Sequence, residues 1–518
     1  MNGRIFEYND LTRSEVVRAE VCVVGSGCGG ATVAKCLAAA GHDVVILERG
    51  GYYPTRSFDQ DELNMNAKLS DNRSLKTASD NTTVLLSGHN VGGASVHYWA
   101  DSYRTPADRL QLWAERYGVA GHGLVELSPA WDEISAALHI HPAEDEYFNR
   151  MSELVRDGSR KLGWRGDRVP QARHNCQKSG HCMQGCVYEA KKSQLVTHIP
   201  AALALGARLY ADVRAAALTT SAGRVTSLHA EVIDRPSGRP GTARLTVEAK
   251  AFVVAAGGYN SAALLMRNGF GRQLPKLGHG FGFNPSPMVH AVYDEDIVLW
   301  RNIPAAYGVD HFRLASYAHD GSYLEGGYLL MPNQLQPGLL AASIPLLGAE
   351  HAHWMQRMRR IGSTIGWIDD HPDELGHIEL NDDGSSRVVY PYGPTTSAML
   401  RDLIKKQAQL HLACDAREIL VAGARALRVR GSKDLDAIDS LEVRAGGLLM
   451  GSPHPSGGCA MGRTAHDSVV DSSHRVHGFS NLFVADSSVF PTAVSVDPSL
   501  TIMGFSYLAA RHIVDALR

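Results

Sequence analysis

The chain has no apolar run approaching the ~20 residues that a bilayer-spanning helix needs, so no segment of it reads as a membrane span. Its first residues, MNGRIFEYNDLTRSEVV, lack the basic-then-apolar order of a secretory leader. A cytoplasmic location is the expectation, with export on a partner's signal left open. An excess of one charge is missing too: 51 Lys and Arg against 54 Asp and Glu leave a formal charge of −3, with an isoelectric point near 6.8. Such a balance argues against nucleic acid or an anionic membrane as partner. Cysteine is sparse, eight in 518 residues, which excludes a disulfide scaffold. Internal repeats and low-complexity linkers are absent. What remains is an ordinary globular composition, 44% apolar and 20% charged. The length suits two or more domains, or one large core with insertions.

The strongest local pattern is VCVVGSGCGGATVAKCLAAAGHDVVILERG, Val21–Gly50. Val21 to Val24 is too short for a helix and suits a buried parallel strand. Gly25, Gly27 and Gly30 follow at G-x-G-x-x-G spacing, Ala31–Ala40 reads as a helix, and Val44–Leu47 as a second strand ending in Glu48. Gly25 permits the strand-to-helix turn, Gly27 lets backbone approach a pyrophosphate, and Gly30 lets helix pack close on sheet. The diphosphate would lie on the free N–H groups of the helix start. Glu48, about 20 residues on, can accept from a ribose diol. The glycines alone are weak evidence; strand, glycines, helix, strand and acid in register point to a dinucleotide.

Further along, SGHNVGGASVHYWADSYR sets Gly92 and Gly93 beside His97 and two aromatics, a mix suited to backbone lying against a flat ligand. LSPAWDEISAALHI and YFNRMSELVRDGSRKLGW have helical spacing and suggest a helical insertion. HNCQKSGHCMQGCVYEAKKS places Cys176, Cys182 and Cys186 at C-x5-C-x3-C spacing. A strand ARLYADVRAAAL, a β-ribbon turning at RPSGRPG, and a buried strand Ala249–Val254 follow. That last strand runs into Ala255-Ala256-Gly257-Gly258, again small enough for close approach of a cofactor. Residues 285–440 alternate apolar and polar runs, as an antiparallel sheet does, with helices such as SAMLRDLIKKQAQLHLACDA. GSPHPSGGCAMG, the strand Asn481–Asp486 and an apolar closing helix from about Pro498 complete the chain.

Four features in this order, the Gly25/Gly27/Gly30 unit, GGASVHYW, HPSGGCAMG, and NLFVADSSVFPT running into DPSLTI, resemble the glucose–methanol–choline (GMC) flavoprotein oxidoreductases over nearly the whole chain. The resemblance implies an α/β fold: a Rossmann-like FAD-binding domain with an α+β substrate domain built on an antiparallel sheet. The expected segments are FAD-binding residues 15–110, a helical insertion 111–195 carrying the cysteines, and FAD-binding residues 196–284. The substrate domain spans 285–440, and an FAD-binding C-terminal segment with the catalytic loop spans 441–518. It implies FAD and oxidation of an alcohol carbon by hydride transfer to flavin N5. Gly25, Gly27, Gly30 and Glu48 match positions holding the ADP half, and Val213 the residue whose backbone meets the adenine. Gly92, Gly93 and Ser95 match the loop beside the flavin, with His97, Ala256 and Pro498 counted among its contacts. Asp486 matches the acid near the ribityl–pyrophosphate region. His454 falls where the family keeps its catalytic histidine, and a base must take the hydroxyl proton for hydride to leave easily.

Three departures bear on the chemistry. Asp497 stands where the family usually has histidine or asparagine, and an ionised carboxylate only accepts hydrogen bonds. It can serve the reaction, by holding His454 protonated, orienting the hydroxyl or pairing with a cationic substrate, and it can cap the last helix; the two roles are compatible. His97 replaces the common asparagine and resembles a variant in sugar-acid and sugar dehydrogenases and pyranose oxidases. In the last of these the histidine is covalently joined to flavin, which leaves that bond open here. The cysteine trio resembles one holding a [3Fe–4S] cluster in a bacterial glucose dehydrogenase, and one in long-chain alcohol oxidases for which no cluster is implied. Zinc with His174 or His181, and three buried free thiols, are the other readings. A polyhydroxylated alcohol (a sugar, sugar acid, cyclitol or aminoglycoside) is the expected substrate, with O₂ or an electron-accepting protein as partner. A long-chain alcohol or steroid, and a non-redox lyase on the same scaffold, are the alternatives.

Overall fold

The computed structural model describes residues 3–423, 425–444 and 446–518. Its first sheet is built around two long strands, Glu15–Val24 and Arg239–Val254, which run parallel. Val21 to Val24 are all buried. With both faces covered, such a strand reads as an unbroken apolar run. On one side Val44–Leu47, Arg208–Tyr210 and Ile5–Phe6 add in parallel. On the other, Arg239–Val254 pairs with Arg224–Asp234 and that with Val213–Ser221, both antiparallel. The RPSGRPG turn expected between the ribbon strands falls at 235–238.

Near its end Arg239–Val254 changes partner. Phe252, Val253 and Val254 pair in parallel with Cys22, Val23 and Val24 on one edge and with Leu482, Phe483 and Val484 on the other. Segments more than 400 residues apart in sequence thereby end side by side. The helix after the first strand, Cys28–Ala39, packs against the closing helix Ser499–Leu517.

The second sheet is antiparallel through Leu427–Val429, Glu418–Val421, Ser286–Val292, Ile361–Ile368, Tyr328–Pro332, Tyr307–Val309 and Gly166–Arg168. All eight residues of Ile361–Ile368 are buried. Helix Pro394–Ala413 covers the sheet with Met399, Leu400, Leu403 and Ile404. A short strand, Met450–Ser452, joins Ser286–Pro287 antiparallel and Thr83–Leu85 parallel. It leads directly to His454.

The stretch read as a helical insertion does hold helices Leu124–Ala137 and Arg150–Lys161. It also contributes Gly166–Arg168 to the second sheet and a small ladder of Ile140–Pro142 with Pro170–Ala172. Three-residue strands carry too little periodicity to be read beforehand. No helix among the described residues is long and apolar enough to cross a membrane.

Burial has an acid cost. His97, His122, His198 and His290 are each pushed from the ordinary 6.5 down to about 4, chiefly by desolvation. Unfolded chains bind these protons below about 6.5, whereas the folded chain takes them only near 4, so stability is full above that window and falls as pH drops through it. Thermal unfolding at about pH 7 and about pH 5 checks this: the midpoint should be lower in acid. Equal midpoints would refute the assignment of these imidazoles as buried and neutral.

Candidate active site and cofactor cradle

The glycine turn is shaped by its neighbours at two positions and by none at the third. Gly25 has φ +101°, and a Cβ there would lie 2.1 Å from the Ala255 carbonyl oxygen. At Gly30 a Cβ would lie 2.0 Å from the Gly25 oxygen. A Cβ on Gly27 meets nothing nearer than the Gly93 Cα, 3.9 Å away. Protein packing therefore explains two of the three glycines, and the third opens onto the gap between the two glycine loops. Glu48 braces this turn from the end of its strand: its carboxylate accepts from Ser26 N at 3.1 Å, Ser26 Oγ at 2.7 Å and Gly50 N at 2.8 Å. Ser26 Oγ also accepts from Gly92 N at 3.0 Å, which ties the first loop to the second. Val213 N donates to the Glu48 carbonyl at 2.8 Å, so the Val213 backbone does border this acid.

In the second loop Ser95 Oγ donates to the Gly92 carbonyl at 2.7 Å and accepts from Gln194 N at 2.9 Å. His97 is buried with Nε2 unpartnered. Burial, and then the charge of Lys191, keeps its imidazole neutral. Lys191 is fully buried beneath the loop, donating to the carbonyls of Val96 at 2.7 Å, Tyr98 at 2.9 Å and Cys182 at 2.5 Å. Desolvation pulls this amine down to about 8. Asp486 spends all its oxygens on the protein: Oδ2 accepts from Gly257 N and Ser261 Oγ, Oδ1 from Ser488 N and Ser488 Oγ. Ser261 Oγ in turn accepts from Ala256 N at 2.9 Å. Asp486 thus holds the small-residue loop in place.

His454 and Asp497 meet. Nε2 lies 3.3 Å from Asp497 Oδ1, and the residues are 5% and 6% exposed. The Trp367 ring meets the imidazole edge to face at 5.2 Å. Backbone bonds set the loop: His454 N donates to Ser452 Oγ, and Ser456 Oγ donates to the His454 carbonyl. His454 Nδ1 and Asp497 Oδ2 have no partner. The helix-cap reading of Asp497 does not hold. Pro498 is the N-cap of Ser499–Leu517, with no side-chain cap bond, and Asp497 turns to the histidine instead.

Residues 20–285 match the N-terminal GMC oxidoreductase family model and residues 372–506 the C-terminal one. The chain belongs to the GMC oxidoreductases. Members of this family bind FAD, and the chain is an FAD-dependent oxidoreductase. An uncharacterized GMC-type oxidoreductase of Mycobacterium tuberculosis is 29% identical over 96% of this chain and 76% of its own. A long-chain-alcohol oxidase of Arabidopsis thaliana is 26% identical over 97% and 68%. The paromamine 6'-oxidase of Streptomyces fradiae is 25% identical over 96% and 92%. Among solved structures, pyridoxine 4-oxidase from Mesorbium loti superposes with a TM-score of 0.70 at 17% identity, covering 96% of this chain and 99% of that one. The cradle fits the family's cofactor. Gly27 faces space that no protein atom fills, and buried polar atoms of His97, Asn90 and Gln194 lack partners in the surrounding loops.

For this GMC oxidoreductase the metal expectations need correction. Among the described residues no three His, Cys, Asp or Glu side chains are grouped to hold a metal ion. Ligands must converge on one point about 2.3 Å from each sulfur. Cys176 and Cys182 converge on a cation instead: Arg173 Nη1 lies 3.9 Å from one sulfur and 3.5 Å from the other. His174 stacks on His139 with ring centroids 4.4 Å apart. All eight cysteines are free. Arg173 also donates to the Trp99 carbonyl at 2.8 Å and to Gln171 Oε1 at 3.1 Å. With Lys191 it fastens the cysteine loop beneath the loop that carries Val96 and Tyr98. Sequence reading passes over both, because a Lys or Arg among polar neighbours looks solvated, and only its distant carbonyl partners show otherwise.

Gly27→Ala should leave thermal stability unchanged and lower the FAD retained on purification, read from the flavin-to-protein absorbance ratio. Gly30→Ala should instead destabilise the fold by about 1–3 kcal/mol through the clash. Equal behaviour of the two variants contradicts the division of roles. Iron analysis of anaerobically purified protein should find fewer than about one iron per chain, since a cluster needs one thiolate for each of several irons. Stoichiometric iron would show that the three thiols do meet around a cluster.

Proposed function

We propose that this enzyme oxidises an alcohol carbon of a polyhydroxylated substrate (a sugar, cyclitol or aminoglycoside hydroxyl), with His454 as general base and Asp497 as its partner. The observation that carries the reading is the buried His454–Asp497 pair at 3.3 Å. FAD supplies the hydride acceptor; the chain supplies position and proton transfer. His454 takes the hydroxyl proton as the carbon–hydrogen bond breaks, and a positioned base of this kind contributes roughly 10²–10⁴-fold. Asp497 stabilises the imidazolium that results and accepts from polar hydrogens of the substrate. Trp367 limits rotation of the ring, and burial keeps water from competing for the base. Gly27, Glu48, Gly92, Gly93, Ser95 and His97 line the cofactor cradle, with Val213, Ala256, Asp486 and Pro498 at its borders.

Buried carboxylate beside the base favours hydroxyl- or ammonium-rich substrates, as the name of the paromamine relative would suggest for that protein. A second reading, a long-chain alcohol, is supported by the indole wall at the same spot: Trp99 and Trp367 have ring centroids 6.3 Å apart, with Trp367 against His454. The electron acceptor is O₂ or a partner protein, and the reducing cytoplasm suits a chain whose cysteines are all free.

Anaerobic mixing with an alcohol panel should bleach the flavin band with sugars or amino-sugars and not with long-chain alcohols. No bleaching with any alcohol would point to the lyase alternative. His454→Ala should cut the rate of flavin reduction by about 10²–10⁴-fold while flavin binding persists. An active His454→Ala enzyme would overturn the base assignment.

A further inference from the structure

A third buried carboxyl belongs to a segment tied to the start of the closing helix. Asp101 is 3% exposed, and its Oδ1 accepts from Gln171 Nε2 at 2.7 Å. The backbone around it is tied to both neighbours: Asp101 bridges Gln171 in antiparallel fashion, and its carbonyl accepts from Ser499 Oγ at 2.7 Å, two residues beyond Asp497. The Gln171 amide has only one possible orientation. Its Oε1 accepts from the Arg173 guanidinium, and its Nε2 also donates to the Pro304 carbonyl at 2.8 Å. Arg173 has no acceptor and Pro304 offers no donor. The amide therefore presents an N–H to Asp101, which makes Oδ1 an acceptor. Oδ2 of Asp101 is buried and unpartnered, and so is Oδ2 of Asp497.

We propose that Asp101 is a carboxylic acid with its proton on Oδ2, directed to Asp497, so that the two carboxyls form a one-proton dyad behind His454. Asp101 is then a positioning residue: it acts through Asp497 and keeps one negative charge, not two, beside the base. The groups facing it agree. Desolvation and then the charge of Asp497 drive its carboxyl well above the ordinary range, against the smaller opposing effects of Gln171 and Arg173. Tyr103, from the same stretch, has its phenol pushed up by burial and then by Asp497 and Asp101. Arg173 is the cation that opposes this shift, and it is engaged by Gln171, the Trp99 carbonyl and two thiols. Two ionised carboxylates this buried repel and lose their hydration together, and one shared proton removes both costs.

This inference rests on the reading of His454 and Asp497 as the reacting pair, and its test includes a measurement that needs no turnover. The infrared difference spectrum of wild type minus Asp101→Asn, taken on the flavoprotein near neutral pH, should show the carbonyl stretch of a protonated carboxyl that shifts in D₂O. Absence of that band overturns the proposal whatever the substrate proves to be. In kinetics Asp101→Ala should lower kcat/KM about tenfold, the size of one lost buried hydrogen bond. Asp101→Asn, whose amide donates from the same place and is neutral at every pH, should recover most of that loss. Its pH profile should also lack the ionisation that Asp101 contributes in the wild type. Equal losses in the two variants, or an unchanged profile in Asp101→Asn, would defeat the positioning role. A band without rescue would mean an acid with no influence on His454, which also overturns it.

Discussion

The candidate site depends on three residues, Phe252, Val253 and Val254, being hydrogen-bonded on both edges at once. One edge takes the strand that leads into the glycine turn, the other the strand that leads to Asp486. Parallel pairing of this kind is non-local and slow to form. Once formed, it sets the glycine turn and the C-terminal loops in one register. Asp486 then stitches across the strand ends through Gly257 and Ser261, so the two halves of the site cannot shift independently.

The second organising theme is buried charge. Lys191 and Arg173 lie beneath the second glycine loop, and with them Asp101, Asp497 and Glu48 are all at most 6% exposed. Lys191 and Glu48 are permitted there by hydrogen bonds that replace water: three carbonyls for Lys191, and two donors from Ser26 and the Gly50 amide for Glu48. Such arrangements are rigid because loss of any one partner leaves an expensive orphan. Rigidity is what a site needs if base, hydroxyl and hydride acceptor are to meet in one geometry.

How much of this was legible beforehand depends on the range of the signal. The strand–glycine–helix–strand unit is local, and its pieces lie within one 30-residue stretch in the expected order. His454 was legible because HPSGGC is a compact motif in a recognisable sequence of motifs. Asp101, Gln171, Arg173 and Lys191 were not, since their meaning comes from partners far along the chain: Asp101 and Ser499 are 398 residues apart. The C-x5-C-x3-C spacing misled for a related reason. Spacing allows three thiols to meet, but the path of the loop decides whether they do, and here two of them meet a guanidinium. Asp497 shows the same limit from the other side. Its place before Pro498 suits a helix cap as well as a site, and only the fold turns it toward His454.

The short strand Met450–Ser452 has a consequence for how this scaffold can change. It is held on one edge by the second sheet and on the other by Thr83–Leu85, and it ends two residues before His454. His454 is therefore mounted on a beam supported at both sides. The neighbouring strand Ile361–Ile368 carries Trp367 against the imidazole and pairs along its other edge with Tyr328–Pro332, so a change of curvature in that strand reaches His454 through the indole.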